Sequence, residues 1–396
     1  MNVVGLFSGI GGLELPFARR GAKTLLLCDV WEPSQSVLAA RFPDVPIKGD
    51  IGKLKALPAG TQVVTAGFPC TDLSQAGRTA GIGGDESGLV KHVFRLLRKA
   101  DVEWLILENV RNMLVLDGGK AMHYLTSELE RLGFKWAYRL VDSRMSGVPH
   151  RRHRVLFAAS RQHDPRQVLF ADNTSDPEVE GLRQDSFGFY WTEGLRGLGW
   201  VRDGVPPLKG GSKIGIPSPP GIWLPGAPVG RAIVTPCIED AEALQGFPRG
   251  WTAPAEATSK PPRWKLVGNA VSVGVSEWLV GRLYEPGSMV VESRKLKEVS
   301  RWPSAAFGQG GEVWEVQASW WPVRMKYQHL TDFLTAGSLS PLSVRATAGF
   351  LERTGRSSLT FDPRFLKALR DHLEFQSRVR AAPPLRASAH DEPALA

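Results

Sequence analysis

Cys70 is the residue whose type and position most clearly predict chemistry in this chain. It follows a short apolar stretch, 62–66, that is typical of a buried strand, and a glycine-rich loop runs from it to Gly88. Open α/β sheets bind ligands at the carboxyl ends of their strands, which suits a nucleophilic thiolate. Free cysteines are usually small buried hydrophobes, so the interpretation depends on the groups that accompany Cys70.

Three other groups occupy comparable positions at predicted strand ends. Asp29 ends an apolar strand about twenty residues after a glycine turn, the spacing at which a carboxylate binds ribose hydroxyls, although a helix cap is nearly as plausible. Glu108 ends a strongly apolar strand and is either a general acid or the cap of the following loop. Arg152 and Arg154 precede another apolar strand and share one side of it, which suits a phosphate or a base edge, whereas a basic run is usually a solvated face.

A glycine turn follows the first predicted strand, 3–7. Ser8-Gly9-Ile10-Gly11-Gly12 leads from this strand into a helix predicted over 13–20. Glycines at this position let the backbone approach a ligand at the helix N-terminus. Such a turn alone is weak support for a nucleotide-like cofactor, because glycine turns are common.

Composition narrows the class of protein. At 396 residues, with 42% hydrophobic and 22% charged residues, the chain is long enough for two or three folded domains. Its three cysteines form no CxxC pair, which argues against a disulfide framework and a zinc site, and we expect no metal. A net charge of +9 fits a polyanionic partner without identifying one. With no signal-peptide pattern and no long apolar run, we expect a cytoplasmic protein.

Changes in sequence character divide the chain into segments. Alternating strands and helices predict an α/β fold up to about residue 160, an irregular stretch rich in Gly, Pro and Trp follows, and the α/β pattern resumes at Ile238. The expected segments are a catalytic and cofactor-binding domain at 1–160, an inserted domain at 161–235, a return segment of the first domain at 236–284, an extension of unknown role at 285–380 and a disordered tail at 381–396.

Taken together and in this order, the motifs resemble the cytosine-C5 DNA methyltransferase family over residues 1–160 and 232–284. The ordered set is far more specific than any single motif. The resemblance implies a Rossmann-like, S-adenosylmethionine-dependent methyltransferase sheet, with 161–235 as a target-recognition domain. The motifs that carry it are Phe7-Ser8-Gly9-Ile10-Gly11-Gly12, Asp50-Ile51, Gly67-Phe68-Pro69-Cys70, Glu108-Asn109-Val110, Arg152-x-Arg154, Leu244-Gln245-Gly246-Phe247-Pro248 and Gly268-Asn269-Ala270-Val271.

The resemblance also implies the reaction and its residues. Cys70 would add to C6 of a flipped cytosine, so that C5 takes the methyl group of S-adenosylmethionine and S-adenosylhomocysteine is released. Glu108 would bind the N3/N4 edge of the base, and Arg152 and Arg154 would hold the base and favour the thiolate. The expected cofactor residues are Phe7, Gly9, Ile10, Gly11, Gly12, Asp29, Asp50, Ile51, Pro69, Asn269 and Val271, and the expected DNA contacts are Ser74, Arg78, Lys209 and Lys213.

The expected partners are double-stranded DNA and, as in a restriction-modification system, an endonuclease that acts on the same site. We expect a monomer that does not contact membranes. Three positions depart from the family pattern: Thr71 and His150 stand where glutamines are common, and Val30 stands where many relatives carry a bulkier residue against the adenine.

Alternative functions stay open on the sequence alone. A tRNA cytosine-C5 methyltransferase would share the same core motifs. A catalytically inactive DNA-binding relative would have no reason to keep Cys70, Glu108, Arg152 and Arg154 together. An NAD(P)-dependent oxidoreductase is supported only by the glycine turn and Asp29, and no hydride-transfer group accompanies them.

Overall fold

The computed structural model describes residues 1–68, 88–175, 181–211, 217–256, 262–335 and 337–381. Within these ranges the chain forms one ten-stranded sheet and one five-stranded sheet. The strands are β1 (Asn2–Leu6), β2 (Lys23–Cys28), β3 (Ile47–Lys48), β4 (Val63–Ala66), β5 (Trp104–Val110), β6 (Lys135–Asp142), β7 (His153–Ser160), β8 (Phe187–Phe189), β9 (Val201–Arg202), β10 (Gly221–Trp223), β11 (Ile233–Thr235), β12 (Ser293–Lys295), β13 (Ala305–Gln309), β14 (Glu312–Val316) and β15 (Ser340–Pro341).

The ten-stranded sheet has the order β12-β14-β13-β6-β7-β5-β4-β1-β2-β3. The strands β3, β2, β1, β4 and β5 are parallel, and β7 runs antiparallel between β5 and β6. The central strands are nearly continuous apolar runs because both faces of a parallel sheet are covered, and β4 is buried along its whole length. All five parallel strands end at the same edge, so the residues that follow them lie close together.

Helices cover both faces of this sheet. Those of the described residues are α1 (Leu15–Arg19), α2 (Glu32–Arg41), α3 (Val90–Leu97), α4 (Lys120–Arg131), α5 (Arg166–Leu169), α6 (Ile238–Leu244), α7 (Arg263–Asn269), α8 (Val273–Tyr284), α9 (Leu330–Phe333), α10 (Val344–Gly355) and α11 (Pro363–Ala381). On one face, Phe94 of α3 and Leu125 of α4 are part of a large apolar core. On the other, Phe17 of α1 and Leu279 of α8 belong to a second core.

The small sheet has the order β15-β11-β10-β8-β9, with every neighbouring pair antiparallel. Its core depends on the far end of the chain. Phe350 of α10 and Phe365 of α11 are fully buried and lie 5.2 and 5.0 Å, centre to centre, from the ring of Phe189 in β8. Trp223 of β10 also contacts Phe365. The inserted segment therefore shares one core with the last two helices.

The C-terminal extension joins the two sheets. β13 pairs with β6, β14 with β13 and β12 with β14, which lengthens the large sheet by three strands. The chain then passes to the small sheet through residues 317–335, here called the crossing segment. In it, Met325 N donates to Met145 O at 2.9 Å and Gln328 N donates to Gly147 O at 2.8 Å. Gly147 has a φ of +85°, and a Cβ there would overlap the crossing backbone, so this turn requires glycine.

Several predicted elements can be compared with the structure. The strands predicted at 3–7, 23–29 and 103–108 correspond to β1, β2 and β5. The helix predicted from residue 265 through 283 is two helices, α7 and α8, because the backbone of Ala270 between them is extended. Apart from Ala381, which ends α11, the tail expected to be disordered lies outside the described residues. None of the helices in the described ranges combines the length and the apolar character that crossing a bilayer requires.

Candidate functional site

A cleft of about 810 Å³ opens at the carboxyl ends of β1, β2, β4 and β5. One wall comes from these strand ends, and the other comes from residues 208–211 and α7 with the turn after it. The cleft therefore brings together groups that are distant in sequence. The predicted site residues that line it are Phe7, Gly9, Asp29, Asp50, Ile51, Glu108, Arg152, Arg154, Lys209 and Asn269.

Ile10, Gly11, Gly12 and Val271 belong to the packing behind the cleft wall. Ile10 is buried, and its carbonyl oxygen accepts a 2.9 Å hydrogen bond from Trp251 Nε1. A Cβ on Gly12 would lie 2.8 Å from the carbonyl oxygen of Val271. The glycines thus allow the return segment to pack directly on the turn, which fixes the shape of the loop that faces the cleft.

Asp29 is held in a fixed orientation at the end of β2. Its Oδ2 accepts a hydrogen bond from Gly9 N at 2.8 Å, and its Oδ1 accepts one from Trp31 N at 3.0 Å. Gly9 has a φ of +55°, a conformation that favours glycine. Burial raises the pKa of Asp29 above its usual value, against the opposing effect of these two amides. Each oxygen keeps lone-pair capacity for a ligand hydroxyl.

The carboxyl end of β3 lies beside Asp29. Asp50 begins a 3-10 turn, and its Oδ1 accepts a 2.8 Å hydrogen bond from Gly52 N, while Ile51 is buried beneath. Cys28 also lines this part of the cleft. Burial, together with the nearby carboxylates, raises the pKa of Cys28 to about 11, so this thiol stays protonated at neutral pH and is a poor nucleophile.

Trp31 lines the cleft beside Asp29 and was not identified from the sequence. The Lys265 ammonium lies 4.6 Å from the centre of its indole ring, within cation–π range. Val30 is 77% exposed, so the aromatic surface missing at that position is present one residue later. An aromatic residue directly after a strand-end Asp-Val pair was the signal that could have revealed it.

Glu108 and Arg154 form the central charged pair of the cleft. Arg154 Nε lies 2.8 Å from Glu108 Oε1, and the two side chains are 12% and 10% exposed. They come from neighbouring antiparallel strands, with Arg154 opposite Val110 in the register. Burial lowers the pKa of Arg154, and Glu108 opposes this effect, so the guanidinium remains charged. The carboxylate is thereby oriented for hydrogen bonding with a polar ligand.

Asn109 connects this pair to the start of the Cys70 loop. Its Nδ2 donates to Phe68 O at 3.0 Å. Phe68 is buried, with its ring edge-on to Phe7 at 6.5 Å. Cys70 follows Phe68 by two residues in the sequence. Outside the described residues are Pro69, Cys70, Thr71, Ser74, Arg78 and Lys213.

Arg152 is bound to the return segment rather than to Glu108. Its Nη2 donates to the carbonyl oxygens of Gly268 and Ala270 at 3.2 and 2.7 Å. Gln245 Nε2 donates to the Ala270 oxygen as well, at 3.3 Å. The Arg152 side chain is buried, and burial lowers its pKa well below the usual value. These bonds fix the turn that carries Asn269 into the cleft.

His150, shortly before β7, connects the end of α6 to the cleft wall formed by residues 208–211. Its Nδ1 lies 3.1 Å from Leu244 O, and its Nε2 lies 3.2 Å from Leu208 N. Burial lowers the pKa of His150 to about 3, so the imidazole is neutral at physiological pH. Because Nε2 must accept from an amide, the proton is assigned to Nδ1, which donates to Leu244. His150 therefore has a structural role at the position where glutamine is common in the family.

Lys209, an expected DNA contact, binds to residues of its own inserted segment. Its ammonium forms an ion pair with Glu193 and lies 3.7 Å from the centre of the Tyr190 ring. The Tyr190 hydroxyl donates to Pro207 O at 2.8 Å. Lys209 thus forms part of the wall of the cleft near Arg154.

Comparisons with known proteins add to this geometry. A family model described as C-5 cytosine-specific DNA methylase matches residues 1–186. The chain is 44% identical to the Type II methyltransferase M2.BsuMI of Bacillus subtilis (strain 168), with the match covering 93% of this chain and 97% of that protein. The chain belongs to the C-5 cytosine-specific DNA methylase family. Its reaction is the methylation of cytosine at C5 in DNA.

Two more distant matches to this methylase agree with the fold. It is 23% identical to the Type II methyltransferase M.DsaV of Dactylococcopsis salina, over 76% of this chain and 90% of that one. The crystal structure of the S. pombe Dnmt2 methyltransferase superposes with a TM-score of 0.53 at 14% identity, covering 72% of this chain and 98% of that chain. The methylase therefore has the expected Rossmann-like α/β sheet.

One buried acid of this methylase was not singled out from the sequence. Glu14 is fully buried beneath the glycine turn, and its Oε1 accepts a 2.6 Å hydrogen bond from Thr65 Oγ1. Glu14 Oε2 and Ser8 Oγ are buried without a hydrogen-bond partner among the described residues. Burial, aided by the charge of Asp29, raises the pKa of Glu14 from 4.5 to about 7.

Glu14→Gln is expected to remove a pH dependence of stability. Between pH 4.5 and about 7 the folded chain keeps a proton on Glu14 that the unfolded chain loses, so wild-type stability falls as pH rises. The loss is on the order of 2–3 kcal/mol by pH 8. Urea unfolding at pH 5 and pH 8 measures it: the variant should match wild type at pH 5 and exceed it at pH 8. Equal pH slopes in both proteins, with exposed Glu32→Gln as control, would contradict the assignment.

Proposed function

We propose that this methylase transfers the methyl group of S-adenosylmethionine to C5 of a cytosine flipped out of duplex DNA, through a covalent bond between Cys70 and C6. The observation that supports this most is the buried Glu108–Arg154 pair at 2.8 Å, in the same cleft as the oriented Asp29 carboxylate. Asn109, next to Glu108 in β5, holds Phe68, which stands two residues before Cys70 in the sequence.

The reaction explains why a thiolate and an acid are needed together. Cytosine C5 is a poor nucleophile until the Cys70 thiolate adds to C6, which moves the C5–C6 π electrons onto C5 and makes C5 the nucleophilic carbon of an enamine. Glu108 binds the N3/N4 edge, and a proton shared between its carboxyl group and N3 offsets the negative charge that develops on the ring. After C5 has taken the methyl group, a base removes the C5 proton, and elimination expels the thiolate and restores the aromatic ring.

The residues at the first three strand ends fit an adenosine. Asp29, oriented by two backbone amides, accepts the ribose hydroxyls. Trp31 offers a flat face for the adenine, and Asp50 with Ile51 lies at its edge. Gly9 has open space where a Cβ would be, so a ligand can approach the backbone there. When bound, S-adenosylmethionine supplies an activated methyl group.

The two arginines take different roles in this proposal. Arg154 contacts Glu108 and faces the base, where it also favours the thiolate form of Cys70. Arg152 acts through the return segment, because its guanidinium binds the carbonyls on both sides of Asn269. The expectation that both arginines hold the base is thus refined to one contact residue and one positioning residue.

Recognition of the target is assigned to the inserted segment together with α10 and α11. A stacked base is inaccessible at C6, so the cytosine must leave the duplex at a cost of a few kcal/mol. The cleft lies between the large sheet and residues 208–211 of the inserted segment, which would face the DNA. The relative M2.BsuMI is named as a Type II methyltransferase, and we propose that this methylase likewise serves a restriction-modification system.

The first test is base-resolution sequencing of 5-methylcytosine in DNA from a methylation-free host that expresses this chain. We expect one short sequence motif to carry the mark. Absence of the mark in DNA together with C5 methylation of tRNA from the same cells would favour the tRNA alternative. Full methylation by the Cys70→Ser variant would reject the proposed covalent step.

A further inference from the structure

A second cleft, of about 840 Å³, lies between the extension and the turn that follows β5. We call it the extension groove and define it by Arg111, Glu298, Arg301, Trp302 and Trp320. Trp302 is buried and forms its floor, and its Nε1 donates to Gly119 O at 3.1 Å. The groove is a feature of the fold that the extension creates.

The groove is next to the base pocket. Arg111 is three residues beyond Glu108, so their Cα atoms are at most about 11 Å apart. Trp320, on the other wall, contacts His153 edge-on at 4.7 Å, and His153 directly precedes Arg154. The groove and the base pocket therefore share the carboxyl edge of β5 and the start of β7.

Two arginines in the groove are available for a ligand. Within the described part of the chain, no carboxylate pairs with Arg111 or Arg301, whereas Arg294 nearby is paired with Glu315 at 2.7 Å. The Arg111 guanidinium lies 5.0 Å from the Trp320 ring centre. Stacking on an indole leaves the N–H edge of a guanidinium free, and that edge matches two phosphate oxygens.

We propose that the extension groove binds the phosphate backbone of the duplex beside the flipped cytosine. Phosphates on one strand follow each other every 3.4 Å or so along the axis, so Arg111 can reach a phosphate about three nucleotides from the target. Glu298 on the same rim limits this attraction. The groove adds affinity without reading sequence, because phosphates carry no base information. The location of the duplex rests on the proposed base pocket.

The test is binding of the full chain to a duplex that carries the mapped methylation site, with S-adenosylhomocysteine present, as a function of salt. Arg111→Gln and Arg301→Gln should each reduce the slope of log K against log[salt] by about 1. Glu298→Gln should increase affinity at low salt about twofold to threefold. Lys99→Gln, which removes an exposed cation at the opposite edge of the sheet, should change neither.

Single methylphosphonates in the duplex locate the contact. Neutralising the phosphates two to five nucleotides from the target on one side should weaken DNA binding by the wild type about threefold to tenfold. The same change should weaken DNA binding by Arg111→Gln little further, because its contact is already lost. The proposal would be overturned if Arg111→Gln and Arg301→Gln had the same salt slope as Lys99→Gln. It would also be overturned if the affinity losses from Arg111→Gln and from each methylphosphonate were fully additive. Methylation of the same duplex by wild type tests the proposed function separately.

Discussion

Cys70→Ser should reduce methyl transfer by at least about 10³-fold, to the background of the assay, because a serine hydroxyl is a far weaker nucleophile than a thiolate. The affinity for S-adenosylmethionine should change by less than about twofold, since Asp29 and Trp31 both follow a different strand, β2. Transfer of a labelled methyl group measures the first quantity, and calorimetric titration measures the second.

The other two cysteines provide matched controls for this change. Cys28→Ser replaces a buried thiol whose raised pKa keeps it protonated. Cys237→Ser exchanges the residue that caps α6, where Cys237 Sγ accepts from Asp240 N at 3.3 Å and serine is a good cap. Cys237→Ser should retain full activity. Turnover of Cys70→Ser well above background, or loss of activity in Cys237→Ser, would argue against Cys70 as the sole nucleophile.

Glu108→Gln should lower kcat by about 10²- to 10³-fold with little change in cofactor affinity. The amide cannot give a proton to the base edge, and it leaves the buried Arg154 without its carboxylate. Single-turnover methylation at saturating DNA measures the chemical step, and thermal unfolding in the same buffer separates it from a loss of folding.

Glu103→Gln is the matched control for this second prediction. Glu103 directly precedes β5 at its other end, where its carboxylate accepts a 2.9 Å hydrogen bond from Gln62. Its replacement should leave the rate of the chemical step unchanged. A Glu108→Gln rate within threefold of wild type would remove Glu108 from the proposed mechanism.

The catalytic part of the fold was largely predictable because its signals are local. The strands β1, β2 and β5 are mainly apolar runs, and Asp29 directly after β2 and Glu108 near the end of β5 lie at the common edge of the sheet. Asp29 and Glu108 could therefore be placed in one cleft from their positions alone. Their hydrogen-bond partners could not, because Gly9 and Arg154 reach them through tertiary contacts.

The strand pairing of the extension and the strands of the small sheet could not be predicted from the sequence, for physical reasons. β13 joins the large sheet by pairing with β6, whose residues are 166 to 172 positions earlier, and Ala-Ala-Phe-Gly-Gln has no alternating pattern that would predict it. The strands of the small sheet have two or three residues each, which is too short for periodicity. The bonds from Arg152 to the Gly268 and Ala270 carbonyls could not be predicted, because backbone acceptors leave no trace in the sequence.

The shared core of Phe189, Phe350 and Phe365 has a consequence for chimaeric enzymes. A transplant of 161–235 alone into a relative would separate β8 from the two helices that cover it and expose large aromatic surfaces to water. With target recognition assigned to the insert as proposed, the unit that carries specificity in this methylase is discontinuous. Engineers, and recombination in nature, would have to exchange the insert and the C-terminal helices as a matched set.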